Sequence, residues 1–482
     1  MGLSLILVDF GVILAEKEVD LVSGNSGIPQ FDVAVIGGGV VGCAIARKLS
    51  HCQLDACLIE AKPDVGMGTS KANTAIFHTG FDATPGSLEA TLLRRSYPLL
   101  RAYCDATGIA YQINGALLIA WNQEQFDRLP QIEENAHKNG VDRIERQSSA
   151  DLYAREPNLG PGALGGLLIQ EEGILCPFSP VLAFATEAKS NGVRFYLDAS
   201  VQTIRKMPEG YIIETDGQDI GTTWIVNAAG LFSDDIDRLL GEDRFRVTPR
   251  KGELIVFDKF ASSLLRHTLL PIPSAKTKGV LVCPTVFGNV LLGPTAEDID
   301  DKNDTETSTG GLSSLLKKGA SILPGLISEE ITSAYAGLRA ATEEKDYQIH
   351  INREDHYACV GGIRSTGLSA SMGIAEYVLE QMAGTGLNLC TKTEVEPVTV
   401  PPLGEHQQRP YQNNTLIALN SDYGRIVCHC EKVTRGELID TFLTELPPPN
   451  LDGLRRRTRC MQGRCQGFYC QAEVDALLRG RP

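Results

Sequence analysis

The sequence predicts an α/β fold with a small separate module near the C-terminal end, and three observations support this prediction. The chain has 482 residues, which is longer than one typical domain. Residues 32–42 have the pattern of a buried strand, a glycine turn and the start of a helix. Five of the 13 cysteines fall between Cys428 and Cys470. We therefore expect two or three domains, with a nucleotide site near the N-terminal end and a metal site near the C-terminal end.

Composition and charge exclude several classes of function. The chain has 45 basic and 60 acidic residues, and its net charge of −15 opposes binding along a nucleic-acid backbone. It has no run of 18 apolar residues, so no transmembrane segment is expected. Residues 3–14 lack the basic segment of a secretory signal, and we interpret residues 1–30 as an N-terminal extension. In a cytoplasmic protein, the cysteines are expected to be thiols and metal ligands rather than disulfides.

The glycine turn has the spacing of a Rossmann-like dinucleotide site. Gly37 permits the tight turn, Gly39 permits the approach of a pyrophosphate, and Gly42 permits close packing of helix on strand. The phosphate then lies at the positive end of the helix. Glu60 ends the next strand, where an acid can accept hydrogen bonds from ribose hydroxyls. The predicted cofactor contacts are Gly37, Gly39, Val40, Val41, Gly42 and Glu60; the alternative is a glycine turn without a nucleotide.

Later segments resemble the superfamily of FAD enzymes that includes glycine oxidase and glycerol-3-phosphate dehydrogenase, the DAO-type enzymes. The resemblance covers about residues 31–480, and its motifs lie at residues 66–80, 226–230, 336–340 and 361–371. It implies an FAD-binding Rossmann-like domain with an antiparallel-sheet substrate domain over the flavin. The FAD contacts that it implies are Thr69, Ser70, Asn73, Thr74, Val201, Ala228, Ala229, Gly230, Gly367, Leu368 and Ser369.

The same resemblance divides the chain into expected domains. The oxidoreductase domain is expected at residues 31–390. Its FAD-binding segments are expected at about 31–83, 195–240 and 336–390, and its substrate-domain segments at about 84–194 and 241–335. Residues 391–425 contain several prolines and glutamines and are expected to form a linker. Residues 426–482 are expected to form a small helical domain.

Three residues are candidates for contact with the substrate. In the family that the chain resembles, an arginine holds the acid group of the substrate. Arg339 is the first candidate and Arg364 the second, because a guanidinium matches a carboxylate or phosphate; an ordinary ion pair is the alternative for each. His78 lies in residues 66–80, the segment that in the family lies against the flavin and is called the flavin loop below. Histidine suits the removal of a hydroxyl proton near neutral pH. The alternative is that His78 bonds to the flavin or simply packs.

The C-terminal cysteines begin with a C-x-C pair, Cys428 and Cys430. Thr434 and Glu437 follow with the spacing of a capping box, which predicts a helix over residues 435–443. Arginines at 455–457 are expected to form a solvated basic run, with a docking face or an influence on a cluster's potential as alternatives.

This segment resembles the bacterioferritin-associated ferredoxin-like (BFD-like) domain, which holds a [2Fe–2S] cluster with four cysteines. The match to its Gly-x-Cys-Gln-Gly-x-x-Cys motif implies Cys465 and Cys470 as ligands beside Cys428 and Cys430. Cys460 is left over, and a Cys460/Cys465 pair is the alternative. Zinc is the alternative metal, since it also accepts four thiolates.

Together, these motifs predict an FAD-dependent dehydrogenase that oxidises a small hydroxy acid or polyol phosphate, similar to glycerol 3-phosphate or 2-hydroxyglutarate. Hydride passes to the flavin, and the [2Fe–2S] cluster carries the electrons to an acceptor protein or quinone. The substrate is expected to be small and anionic, and the sequence is compatible with an oligomer. The alternatives are an amine or amino-acid oxidase or dehydrogenase, and a non-catalytic electron-transfer subunit.

Overall fold

A computed structural model describes residues 27–273, 279–384 and 387–480, apart from residues 388, 402 and 405–407. Most of the expected N-terminal extension, residues 1–26, therefore lies outside the described residues.

Strands and helices alternate through the first half of the described chain. In chain order the strands are β1 (Gln30–Ile36), β2 (Ala56–Ile59), β3 (Ile76–Phe77), β4 (Tyr111–Gln112), β5 (Ala116–Ala120), β6 (Ile144–Ser148), β7 (Gly165–Ile169), β8 (Gly173–Leu175), β9 (Arg194–Tyr196), β10 (Val201–Met207), β11 (Gly210–Thr215), β12 (Ile220–Asn227), β13 (Thr248–Phe257), β14 (Thr268–Pro271), β15 (Leu281–Pro284), β16 (Val290–Gly293), β17 (Glu297–Asp298), β18 (Ile331–Ala341), β19 (Gln348–Asn352), β20 (Tyr357–Gly361), β21 (Ile426–Cys428) and β22 (Val433–Thr434). The α-helices are α1 (Val40–Ser50), α2 (Leu88–Thr107), α3 (Gln123–Lys138), α4 (Ser149–Arg155), α5 (Ser179–Ser190), α6 (Ser233–Leu239), α7 (Thr309–Ile322), α8 (Gly367–Ala383), α9 (Asn414–Leu419), α10 (Arg435–Asp440), α11 (Leu451–Thr458) and α12 (Gln471–Arg479).

An eight-stranded sheet forms the dinucleotide-binding part of the molecule. β1 pairs in parallel with β2 and β12, β2 with β9, and β12 with β20, while β10 and β11 extend the sheet in antiparallel fashion. Val33 and Val35 of β1 pack in the core that also contains α1, α2, α5 and α8. Ala34 and Ile36 face the opposite core, since alternate residues of a strand point to opposite faces. The parallel strands are therefore buried on both faces.

A nine-stranded, mainly antiparallel sheet forms the second large unit. β13 and β18 run antiparallel along almost their whole length, from Thr248 opposite Ala341 to Phe257 opposite Ile331. Gly252 faces Gly337 in this pairing. Because neither residue has a side chain, neighbouring groups approach both backbones closely at that point. α7 packs on one face of the sheet through Leu315. The predicted combination of a Rossmann-like unit and an antiparallel substrate sheet is confirmed.

The C-terminal module has its own small core of Val427, Val433, Leu438, Leu454 and Val474. The predicted capping box is present: Thr434 Oγ1 accepts a hydrogen bond from Glu437 N at 3.2 Å, and Glu437 Oε2 accepts one from Thr434 N at 2.8 Å. The helix ends earlier than predicted, at Asp440, and one 3-10 turn, Thr441–Leu443, follows it.

The expectation of a solvated arginine run was wrong. Arg456 and Arg457 are 3% and 7% exposed, and both bind the buried carboxylate of Asp64 in the dinucleotide unit. Asp64 is itself 2% exposed, so its charge could not be buried without cationic partners. The module is thus fixed to the dinucleotide unit through α11. Within the described part of the chain, no helix has both the length and the apolar composition needed to cross a membrane.

Candidate functional site

The glycine turn between β1 and α1 is closed tightly by a segment from a distant part of the chain. Ala228 N donates to Ile36 O at 2.8 Å, which places residues 228–230 directly against Gly37. Gly37 has a φ of +109°, and a Cβ there would overlap the carbonyl of Ala228. A Cβ at Gly42 would overlap the carbonyl oxygen of Gly37. Only glycine fits these two positions, Gly37 for the tight turn and Gly42 for the close packing of α1 on β1.

Two helix N-termini meet beside this turn. A Cβ added at Gly367, the first residue of α8, would lie within 4.0 Å of the side chains of both Val40 and Val41 at the start of α1. Neither N-cap residue, Gly39 of α1 or Thr366 of α8, caps its helix with its own side chain. Ser70 Oγ accepts a hydrogen bond from Val40 N at 2.9 Å, which brings the flavin loop to the same place. Two converging positive helix ends fit the pyrophosphate of a dinucleotide.

Glu60 is held at the end of β2 by backbone donors. Its carboxylate accepts hydrogen bonds from Gly38 N at 2.6 Å and Lys62 N at 2.8 Å. Burial raises the pKa of Glu60, although these N–H groups favour the charged form. Ala199 N donates to Glu60 O at 2.9 Å, and Val201 begins β10 two residues later. The structure therefore brings Glu60 and the segment before Val201 together.

The loop of residues 69–74 is tied to the substrate sheet. Thr69 Oγ1 donates to Leu338 O at 2.8 Å, and Tyr335 Oη donates to Asn73 O at 2.7 Å. The Asn73 side chain closes the loop on itself through Ser70 O and Ala75 N. Thr74 offers its carbonyl to the thiol of Cys283, 3.7 Å away. The side chains of Thr69 and Asn73 are thus used within the protein, and their roles as FAD contacts stay predictions.

His78 lies between two carboxylates. Its Nδ1 is 3.0 Å from Glu172 and its Nε2 is 3.0 Å from Asp82. Burial lowers the pKa of His78, but the charges of Glu172 and Asp82 outweigh it and raise the pKa to about 10. His78 N also donates to Ser369 Oγ at 2.9 Å, which joins the loop to the start of α8. Both ring nitrogens are engaged in this geometry, and the two carboxylates favour the imidazolium form. The role of His78 as a base stays a prediction.

Arg339 lies on β18 opposite Arg250 of β13. It is partly buried, and its Nη2 donates to Thr295 O at 2.7 Å. Burial, followed by the nearby positive charges of Arg250 and Arg364, lowers the pKa of Arg339 to about 10, against the opposing charge of Asp298. The structure therefore brings both candidate arginines together with a third. A further anion would relieve the repulsion between them.

A cavity of about 980 Å³ lies between the three parts of the molecule. Residues 67–73 of the flavin loop, residues 332–338 of β18 and residues of α11 all contribute to its wall. Its basic lining residues are Lys62, Lys71, Lys302, Arg455, Arg456 and Arg459, and its acidic ones are Glu306 and Asp452. Some of these cations have carboxylate partners behind the wall, among them Asp64 and Glu431. Four of the six, Lys71, Lys302, Arg456 and Arg459, are paired with carboxylates, so Lys62 and Arg455 supply the positive charge that suits an anionic occupant.

All five C-terminal cysteines gather in the module. The Sγ atoms of Cys428, Cys460 and Cys470 lie within 4.8 Å of one another. The thiols of Cys430 and Cys465 also contact each other. The S–H of Cys460 and the backbone N–H groups of Met461 and Glu431 lower the pKa of Cys428 to about 6. A group of thiols that accept backbone N–H bonds fits an iron–sulfur cluster.

Sequence reasoning missed the two carboxylates that hold His78. Asp82 lies four residues after His78, which is a spacing that could have suggested the contact. Glu172 comes from a turn 94 residues away, and nothing in its local sequence marks it. Glu172 also accepts hydrogen bonds from the backbone and hydroxyl of Thr79, both at 2.6 Å.

Comparison with known proteins defines the class. A family model described as FAD dependent oxidoreductase matches residues 32–381, and one described as BFD-like [2Fe-2S] binding domain matches residues 426–479. The chain belongs to the FAD-dependent oxidoreductase family. It is an enzyme with FAD and a [2Fe–2S] cluster as its cofactors.

Several relatives have related names. A glycerol 3-phosphate dehydrogenase of Caloramator mitchellensis is 33% identical over 93% of this chain and 94% of its own length. A glycerol 3-phosphate oxidase of Mycoplasma pneumoniae is 30% identical over 71% of this chain and 92% of its own. The solved structure of dithionite-reduced L-α-glycerophosphate oxidase from Mycoplasma pneumoniae with FAD bound has a TM-score of 0.74. Its sequence is 27% identical, and the match covers 78% of this chain and all of that chain.

Proposed function

We propose that this enzyme oxidises glycerol 3-phosphate, or a closely similar small hydroxy acid or polyol phosphate, and passes the electrons through its [2Fe–2S] cluster to an acceptor protein or quinone. The basic cavity carries this proposal, because the flavin loop, the substrate sheet and the module share its wall. An anionic substrate bound there would contact the segments that are proposed to hold the two redox cofactors. When bound, FAD accepts a hydride and the cluster carries single electrons.

Arg339 is proposed to hold the phosphate or carboxylate of the substrate; it directly follows Leu338, the last residue of β18 in the cavity wall, and is not itself part of that wall. Its contact with Thr295 O fixes the guanidinium, and its neighbours Arg250 and Arg364 keep the surroundings positive. The names of the relatives favour a phosphate of a three-carbon polyol over an amine. Arg364 is proposed to contribute less than Arg339, because its Nη1 already donates to Lys345 O at 3.0 Å.

His78 is proposed to take the hydroxyl proton, with Glu172 as the group that orients it. Glu172 on Nδ1 fixes the ring, so Nε2 is the atom that would accept the proton. This role requires that Nε2 first pass its proton to Asp82, so that the ring is neutral, and then exchange its contact with Asp82 for the substrate hydroxyl.

Cys428, Cys430, Cys465 and Cys470 are proposed as the cluster ligands. The contacts between Cys428 and Cys470, and between Cys430 and Cys465, are compatible with this set. Cys460 also lies within 4.8 Å of Cys428 and Cys470, and the resemblance to the BFD-like motif is what selects Cys465 instead. Iron and acid-labile sulfide should be present at about two atoms each per chain. Equimolar zinc without sulfide would contradict the assignment.

The substrate is tested by anaerobic titration of the purified protein. Glycerol 3-phosphate should bleach the flavin absorbance and then produce the electron paramagnetic resonance signal of a reduced cluster; L-2-hydroxyglutarate, glycine and L-amino acids serve as comparisons. Bleaching by the amines alone would indicate an amine dehydrogenase or oxidase, and no bleaching by any compound would favour an electron-transfer subunit. Arg339→Met should lower kcat/KM by about 10- to 100-fold, the value of a charged hydrogen bond. Arg205→Met serves as control, because Arg205 is exposed and pairs with Glu214 on the distant β10–β11 ribbon.

A further inference from the structure

The fifth cysteine of the module, Cys460, lies among the proposed ligands although it is not one of them. Its side chain is 0% exposed, and its Sγ lies within 4.8 Å of the Sγ atoms of both Cys428 and Cys470. These two belong to the proposed ligand set, so this inference rests on that part of the proposed function. A thiol this close to two ligand sulfurs is positioned to act on the cluster.

The backbone around Cys460 fixes the side chain in this place. Arg459 and Met461, on either side, both have left-handed φ values of +64° and +65°. Such values are strained for residues other than glycine, and they persist only where the surrounding structure imposes them. Cys460 N also donates to Thr458 Oγ1 at 3.1 Å, and Thr458 is itself buried. The thiol therefore has little freedom to turn away from the ligands.

We propose that Cys460 is a positioning residue that donates an S–H hydrogen bond to a ligand sulfur and thereby raises the reduction potential of the [2Fe–2S] cluster. Adding an electron increases the negative charge on the ligand sulfurs, so a donor stabilises the reduced cluster more than the oxidised one. Because Cys460 lies beside Cys428 and Cys470, its S–H acts on these two ligands of the set.

The test compares three variants of the full-length holoenzyme. Iron and sulfide content and the cluster's midpoint potential are measured for Cys460→Ala, Cys460→Ser and Cys465→Ser. Cys460→Ala should retain the cluster with a lower potential. At the wild-type midpoint its reduced-to-oxidised ratio should fall by about two- to tenfold, the effect of one lost hydrogen bond. Cys460→Ser keeps a donor of similar size and should lie nearer the wild type, while Cys465→Ser should lose the cluster.

Two results would overturn the inference. An unchanged potential in Cys460→Ala would make this thiol a spectator. Loss of iron and sulfide from both Cys460 variants would make it necessary for holding the cluster, and retention by Cys465→Ser in the same experiment would identify Cys460 as a ligand. In this titration, redox mediators rather than the substrate set the solution potential at which the cluster is reduced. A failure of glycerol 3-phosphate to reduce the flavin is therefore separable from a failure of this inference.

Discussion

Asp64→Asn should loosen the C-terminal module from the rest of the enzyme. Asp64 is 2% exposed and accepts hydrogen bonds from Arg456 Nη2 at 2.5 Å and from Arg457 Nη1 and Nη2 at 2.7 and 2.9 Å. Asparagine keeps the size of the side chain but removes its charge and turns donors toward two buried guanidinium groups. Breaking a buried pair in this way costs about 3–5 kcal/mol. The population of undocked module should therefore rise by roughly 10²- to 4 × 10³-fold.

Amide hydrogen exchange followed by mass spectrometry measures this population in peptides that cover α11. Lys71→Met is the matched control, because Lys71 also bridges to α11, through Asp452 at 3.2 Å, but both partners are about one-third exposed. An exposed pair contributes about 0–1 kcal/mol, so exchange in this control should change by less than about fivefold. If Asp64→Asn stayed within that range too, the buried pair would not be what fixes the module.

Two further predictions concern the flavin segment. Gly42→Ala should purify without FAD, because its Cβ overlaps Gly37 O. Gly68→Ala should keep FAD, since no atom lies within 4 Å of a Cβ there. The ratio of flavin absorbance to protein absorbance measures the FAD content of each variant, and equal content would refute the packing argument. His78→Gln should lose more stability at low than at high pH. The pKa of His78 is raised from 6.5 to about 10 in the folded protein, so its stabilisation is complete below pH 6.5 and is lost as pH rises toward 10. The difference in melting temperature from the wild type should therefore narrow between pH 6 and pH 10, and a constant difference would contradict the imidazolium state.

Local patterns predicted the parts of the site that short-range geometry determines. The turn from Gly37 to Gly42 has one backbone solution between a strand and a helix, so its spacing was sufficient to predict it. The capping box at Thr434 is equally local. The start of α8 was harder to predict from the sequence. This helix begins at Gly367, inside the motif of residues 361–371, because packing against α1 and α2 extends it into residues that favour loops in isolation.

Contacts across long sequence separations could not be predicted. Arg457 and Asp64 are 393 residues apart, and in isolation a run of three arginines indicates a solvated surface. Their burial depends on a carboxylate that the fold brings to them from another unit. Glu172 and His78 present the same problem, because neither local sequence contains information about its partner.

The pairing of Asp64 with α11 also has a consequence for the order of assembly on the ribosome. At about 5–20 residues per second, Arg457 is made about 20–80 s after Asp64, which lies 393 residues earlier. During that interval the carboxylate remains hydrated, and the cavity wall next to it is incomplete. The nascent dinucleotide unit therefore waits with an open side until translation is nearly finished. Docking of the module onto this unit can occur only after α11 has been made.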